Sequence, residues 1–167
     1  MAALKPASGA LHPAEIRRAD HRDLERLVAL WIDLTEHHAD LDPLYALRDG
    51  AEGEVRRLLE TQLRDPDTAV FVRETSGQLV GFCSVRIDRA PPIHREVARA
   101  EITDVAVRRE RRRRGIGRAL VEAALAWVRE RGVPRVEVRV VAGNAEGQRF
   151  WRALGFGPFV DVLHRRL

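Results

Sequence analysis

A chain of 167 residues with 45% hydrophobic and 32% charged side chains has the make-up of a soluble globular protein built on one core. Its 29 basic against 25 acidic side chains leave a formal charge of +4, and because Lys5 is the only lysine the excess is arginine, which favours anionic ligands. Cys83 is the only cysteine, so an internal disulfide is excluded and a reducing cytoplasm is the default, while no apolar run reaches the roughly 18 residues of a membrane span.

Residues 1–13 hold Ala, Pro and Gly without a long apolar stretch and read as a loose tail rather than a signal peptide, leaving 14–167 as one domain. Glu15–Ala19 suggests a short first strand. Leu24, Leu27, Val28, Trp31 and Leu34 share one face of a helix predicted over Asp23–His37, with Asp20 as its N-cap. Pro43 breaks the stretch His37–Leu47, and a second helix is predicted over Ala51–Leu63. His37, His38, Asp40 and Asp42 crowd that break, yet no cysteine joins them and their spacing fits no zinc motif, so no metal is expected. Ala69–Glu74 and Leu79–Asp88 read as a hairpin turning at Ser76-Gly77. Pro91-Pro92 ends the second of these strands, and Ala98–Val107 is the fourth. Ile116, Ala119, Leu120, Ala123, Ala124, Trp127 and Val128 then mark the best helix of the chain, stopped by Gly132 and Pro134. Arg135–Val141 alternates as a fifth strand, Ala145–Leu154 is a short helix closed at Gly155, and Phe159–Leu167 is a last strand. The sum is an α/β domain with a mixed sheet.

Charge is lopsided in only one place, Arg108–Leu120, RRERRRRGIGRAL, which lies between the fourth strand and the best helix. A helix start presents unpaired N–H groups and a partial positive charge, which suits a phosphate. Gly115 and Gly117 let an anion approach the backbone around Ile116, and Arg112, Arg113, Arg114 and Arg118 add fork-shaped donors. The turn therefore reads as a diphosphate cradle. A P-loop is excluded because the chain has no Gly-Lys pair. The dinucleotide fingerprint fails at Leu120, where its third glycine belongs, and Glu137 sits inside the next strand rather than at its end. The remaining design, R/Q-x-x-G-x-G/A, is met by Arg112, Gly115 and Gly117.

About thirty residues further on, Asn144–Phe156, NAEGQRFWRALGF, approaches a second signature, N-x-x-A-x-x-F/L-Y-x-x-x-G-F. Asn144, Phe150, Gly155 and Phe156 match, while Gly147 stands for the usual Ala and Trp151 for the usual Tyr. With both signatures in order, the chain resembles the GNAT-type acyl-CoA N-acyltransferases from Glu15 onward, least so before residue 65. That resemblance implies a single-domain GNAT-like fold, with a mixed and mostly antiparallel central sheet flanked by about four helices. It implies acetyl-CoA as co-substrate and direct transfer of the acetyl group to a primary amine in a ternary complex. Val105, Ala106 and Val107 would pair with the pantetheine arm as a further strand does, and the Val105 N–H would serve the oxyanion. The run Arg112–Arg118 would hold the diphosphate, Asn144, Phe150 and Trp151 would line the arm, and His37 and Tyr45 would wall the acceptor.

Transfer needs a neutral amine, whose free pKa of about 10 keeps it protonated at neutral pH. Glu101 is the first candidate base: with period-two alternation it shares a strand face with Val105, and it matches the catalytic glutamate of the histone-acetylating branch of the family. Asp104, on the opposite face, and water are the alternatives. Trp151 offers an N–H donor without a phenol's acidity, so protonation of the departing thiolate falls to water or to Tyr45, the only tyrosine. Two other classes stay open: an acyl-CoA sensor without turnover, and a nucleic-acid partner using Arg108–Arg118, although a nonspecific patch has no need of two glycines. The expected partner is a small-molecule or peptide amine, with no membrane contact and with homodimerisation left open.

Overall fold

The computed structural model describes residues 16–93 and 95–165; the tail expected over residues 1–13 lies outside them. Five strands and four α-helices follow one another as β1 (Ile16–Arg18), α1 (Leu24–Leu41), α2 (Glu52–Arg64), β2 (Thr68–Thr75), β3 (Gln78–Arg89), β4 (Ala98–Val107), α3 (Ile116–Glu130), β5 (Val136–Val138) and α4 (Ala145–Ala153). They build one sheet in the order β1-β2-β3-β4-β5, antiparallel except where β4 meets β5. Consecutive hairpin strands need only short turns, whereas the parallel β4–β5 step needs the α3 crossover. At the tightest turn Ser76 and Gly77 both take positive φ, 51° and 76°, as a two-residue primed turn requires.

Each face of the sheet is covered by helices. Leu27 and Leu30 of α1 and Leu59 of α2 pack on Val70, Val72 and Phe82, while Leu120, Val121, Ala124 and Val128 of α3 pack on Ala69, Cys83, Val85 and Ile102. Burying each such aliphatic side chain contributes about 1.5–3 kcal/mol before chain entropy is counted. Trp127 is also buried there, with the Arg131 guanidinium 3.9 Å above its ring. Among the described residues no helix is long and apolar enough to cross a membrane.

Four boundaries differ from the sequence reading. Asp20 does cap, but it caps a 3-10 turn over His21–Asp23: its side chain accepts the Arg22 N–H, and Asp23 accepts the Asp20 N–H at 3.0 Å. α1 runs on to Leu41, so His37 and His38 are helical; the stop is Asp42, extended ahead of Pro43, whose ring disfavours helix in the residue before it. β5 keeps only three of the seven residues expected, since its register with β4 ends at Ile102↔Val138. Among the described residues no strand forms after α4, and the last two residues of the strand expected over Phe159–Leu167 lie outside them. Phe159, Val160, Val162 and Leu163 are 69–91% exposed: alternation becomes a strand only when the segment pairs with an edge, and this one does not pair with β5, although Arg135 next to that strand stacks on Phe159 at 4.9 Å.

Candidate active site

Beyond Ile102 and Val138 the two parallel strands part, and a cavity of about 590 Å³ opens between them. One side is β4 from Ile102 to Val107, whose edge toward β5 is no longer paired; the other is Val138–Val141 and α4. The start of α3 closes one end, and Leu34, His37 and His38 of α1 close the other.

At the α3 end, Gly115 caps the helix at φ 79°, a left-handed conformation that costs a residue with a Cβ about 1–2 kcal/mol. Arg113 adopts φ 62° in the same turn. Arg111, Arg112, Arg113 and Arg118 border the cavity together with Gly115, Ile116 and Gly117; the exposed Arg114 does not. Arg112 folds back so that its Nε donates to the Val107 carbonyl at 3.1 Å, and Glu146 of α4 lies 3.9 Å from both Arg112 and Arg113. Ile116 points into the core, leaving its main chain to the turn. Gly117 has a different reason from the one the motif suggests. A Cβ there would stand 3.3 and 3.4 Å from the Phe150 ring, so this glycine admits an aromatic side chain of α4.

α4 explains its own departures from the signature. Asn144 caps the helix, its Oδ1 accepting the Gly147 N–H at 2.8 Å. A Cβ on residue 147 would lie 2.8 Å from Asn144 Nδ2, so the folded-over cap occupies the space an alanine needs. Asn144 borders the cavity, yet its carbonyl oxygen is spent on the helix. Trp151 is buried edge-on between Phe150 and Phe156, with centroids 5.1 and 5.0 Å away, and closes the cavity wall.

The two carboxylates of β4, expected on opposite faces, share one. Ser84 pairs with Asp104 but Val85 pairs with Ile102, so Thr103 is an unpaired bulge. The extra residue inverts alternation: Ile102 and Val105 both face the α3 core, and Glu101 shares the α1 face with Asp104 and Ala106. Glu101 and Val105 therefore lie on opposite faces, contrary to expectation. Glu101 is buried outside the cavity lining, accepting from Arg86 at 2.7 Å, with Arg139 Nε 3.4 Å from its other oxygen. Asp104 lines the cavity. Burial pushes its carboxyl above the usual range, against hydrogen bonds from the Thr103 hydroxyl, at 2.7 Å, and the Trp31 side chain. Burial, then the neighbouring His37, holds the His38 imidazole below its ordinary value. Tyr45 stays outside the cavity, 42% exposed, with its ring 5.8 Å from that of His38. Cys83, opposite Val105, is wholly buried, and burial drives its thiol far above the ordinary range.

Thus Val105, Ala106, Val107, Arg112, Arg113, Gly115–Arg118, Asn144, Phe150, Trp151 and His37 converge on one cavity, whereas Glu101, Arg114 and Tyr45 stand outside it. Arg111 and Glu146 were not singled out from the sequence, although an acid in the first turn of a helix is itself a signal. Glu137, the ribose acid a dinucleotide site would need, is taken by Arg99 and Arg135. No group of three metal-ligating side chains occurs among the described residues.

An open sheet whose parallel strands part over a helix N-terminus defines a class of protein. The family model of the acetyltransferase (GNAT) family matches residues 24–156, and the chain belongs to that family. An uncharacterized N-acetyltransferase of Archaeoglobus fulgidus is 31% identical over 137 residues, 82% of this chain and 88% of that one. The mycothiol acetyltransferase of Thermobispora bispora is 37% identical over 97 residues, 58% of this chain but 32% of its own length. Against the first curated relatives it matches, the chain thus spans about a third of their length. A tetramutant of the BH1408 protein from Bacillus halodurans shares the fold at a TM-score of 0.81, with 21% identity over 91% of this chain and 99% of that one.

Proposed function

We propose that this chain moves the acetyl group of acetyl-CoA to a primary amine of a small-molecule acceptor, by direct attack in a ternary complex. The observation that carries this reading is one continuous cavity joining an arginine-rimmed helix N-terminus, an unpaired stretch of strand edge and an aromatic wall. Those surfaces suit, in turn, a diphosphate, an amide-bearing arm and a thioester. In this reading the N–H groups that open α3 hold the diphosphate together with Arg111, Arg112, Arg113 and Arg118. Val105–Val107 receive the amides of the arm as a neighbouring strand would, and the Val105 N–H meets the oxyanion. Phe150 and Trp151 flank the arm, Asn144 holds the start of α4 against it, and His37 borders the acceptor. Trp151 has no acidic proton to give, so water returns a proton to the thiolate. The mycothiol acetyltransferase among the relatives supports a small acceptor.

Calorimetric titration of acetyl-CoA, paired with a thiol-release assay over a panel of amines, tests the reading. Arg112→Ala with Arg113→Ala is expected to weaken acetyl-CoA at least about tenfold, or 1.4 kcal/mol. Absence of acetyl-CoA binding sinks the proposal. Binding without thiol release from any amine would favour the sensor. DNA binding with a steep salt dependence in place of acetyl-CoA binding would favour the nucleic-acid reading.

A further inference from the structure

We propose that Asp104 forms the ammonium site of the acceptor, taking the proton of the incoming primary amine, and that His38 passes that proton to solvent. This inference rests on the acetyl-transfer reading above and assigns the acceptor side of the same cavity.

Elimination and geometry carry it. Among the described residues, only two carboxylates line the cavity, Glu146 and Asp104. Glu146 lies at the diphosphate end between Arg112 and Arg113. Glu101 sits outside, committed to Arg86 and Arg139. Asp104 is left, at the end walled by Leu34, His37 and His38, and the bulge at Thr103 is what turns it that way. Its partners inside the protein are the Thr103 hydroxyl and the Trp31 side chain. A carboxylate offers about four lone-pair positions, so two hydrogen bonds leave room for an ammonium. Ser84, its cross-strand partner on the same face, has a buried hydroxyl without a hydrogen-bond partner among the described residues. A hydroxyl that can donate or accept suits a neighbour that alternates between carboxylate and acid. The charged and titratable groups acting on this site are His37 and His38 from α1 and Arg86 and the buried Cys83 thiol from β3. His38 lines the same end of the cavity as Asp104, and an imidazole nitrogen there can accept a proton; burial raises the Asp104 carboxyl, which moves toward the amine in basicity, and lowers His38.

The protons balance. Asp104 takes one from R–NH3+, and the freed amine forms its C–N bond to the thioester carbonyl carbon. Collapse of the tetrahedral species breaks the C–S bond, and the second amine proton reaches the thiolate through water. The first proton leaves Asp104 for His38 and then solvent, so the products are amide, CoA thiol and one released proton. Leu34 lies beside the site, which fits an aliphatic carbon next to the ammonium.

The test is the pH dependence of amine kcat/KM for the full chain with two amines of different basicity. In the wild type the acid limb is expected to be the same for both, because it belongs to the enzyme; an acid limb that tracks each amine's own pKa overturns the proposal. Asp104→Asn is expected to lower kcat/KM at neutral pH about a hundredfold. Activity should climb back as pH approaches the amine's own pKa, while acetyl-CoA affinity stays within about twofold. Near-wild-type kcat/KM in Asp104→Asn at neutral pH, or a loss that alkaline pH does not restore, refutes it. His38→Gln should change the acid limb without changing acetyl-CoA affinity, and an unaltered limb removes His38 from the relay. Failure of acetyl-CoA to bind the wild type would sink the transfer reading itself, a different outcome from any of these.

Discussion

Replacing Glu101 by glutamine separates a structural carboxylate from a chemical one. Glu101 is 8% exposed and Arg86, its partner at 2.7 Å, is 49% exposed, so the pair lies between the buried and surface extremes. Breaking a buried pair costs about 3–5 kcal/mol and a surface pair about 0–1 kcal/mol. Glutamine keeps an oxygen to accept from Arg86 but loses the charge that Arg86 and Arg139 share, which argues for about 2 kcal/mol. For a chain of this size that lowers Tm by about 4–8 °C. Turnover at temperatures well below the transition should stay within about threefold, since the side chain does not reach the cavity. Differential scanning fluorimetry and the thiol-release assay measure the two effects on one preparation. A hundredfold loss of kcat in Glu101→Gln with an unmoved Tm would refute the reasoning. It would make Glu101 the base despite its position, and would take that role from Asp104.

Other perturbations follow from the same contacts. Gly115→Ala places a Cβ at φ 79° and should cost about 1–2 kcal/mol, seen as a lower Tm, with weaker acetyl-CoA binding in the same titration. Gly117→Ala presses on Phe150, so in a double-mutant cycle Phe150→Leu should relieve part of the loss, with a coupling of at least about 0.5 kcal/mol; strict additivity would contradict the contact. Asp23 is held below the ordinary carboxylate range, first by its hydrogen bond with Arg17. Its folded pKa lies below its unfolded one, so its contribution to stability is complete above pH of about 4 and fades as pH falls through the folded value. Urea midpoints of the wild type and Asp23→Asn should therefore differ most near neutrality and draw together in acid.

What could be read from the sequence was local. The apolar spacing of α3 and the glycine before it fixed the turn, because helix periodicity and a positive φ are properties of a few consecutive residues. The apolar face that marks α1 ends at Leu34, so the sequence pattern stops the helix near His37, whereas its backbone runs on to Asp42 and Pro43, which carry the stop. Longer-range facts left no local mark. Thr103 is a β-branched residue that fits a regular strand, and only the pairing of β3 with β4 makes it a bulge. Strict alternation therefore set Glu101 on the face of Val105 and opposite Asp104, where the bulge puts it with Asp104. Gly147 and Asn144 were legible as departures and motif matches, but not as a cap resting on its own helix. The segment after α4 alternates well, and a strand needs an edge that no single segment can announce.

The lone thiol has a practical bearing. Reagents that report released CoA by disulfide exchange react with any accessible thiolate, and most enzymes contribute a background of their own. Cys83 is sealed between β3 and α3 and burial keeps it in its unreactive protonated form, so the folded chain should be silent toward such a reagent. Colour then counts product alone, and slow colour without substrate reports unfolding. Because the sequence has no second cysteine, one introduced at the cavity rim would be the single labelling position on the folded molecule, ready for a fluorophore that senses ligand entry.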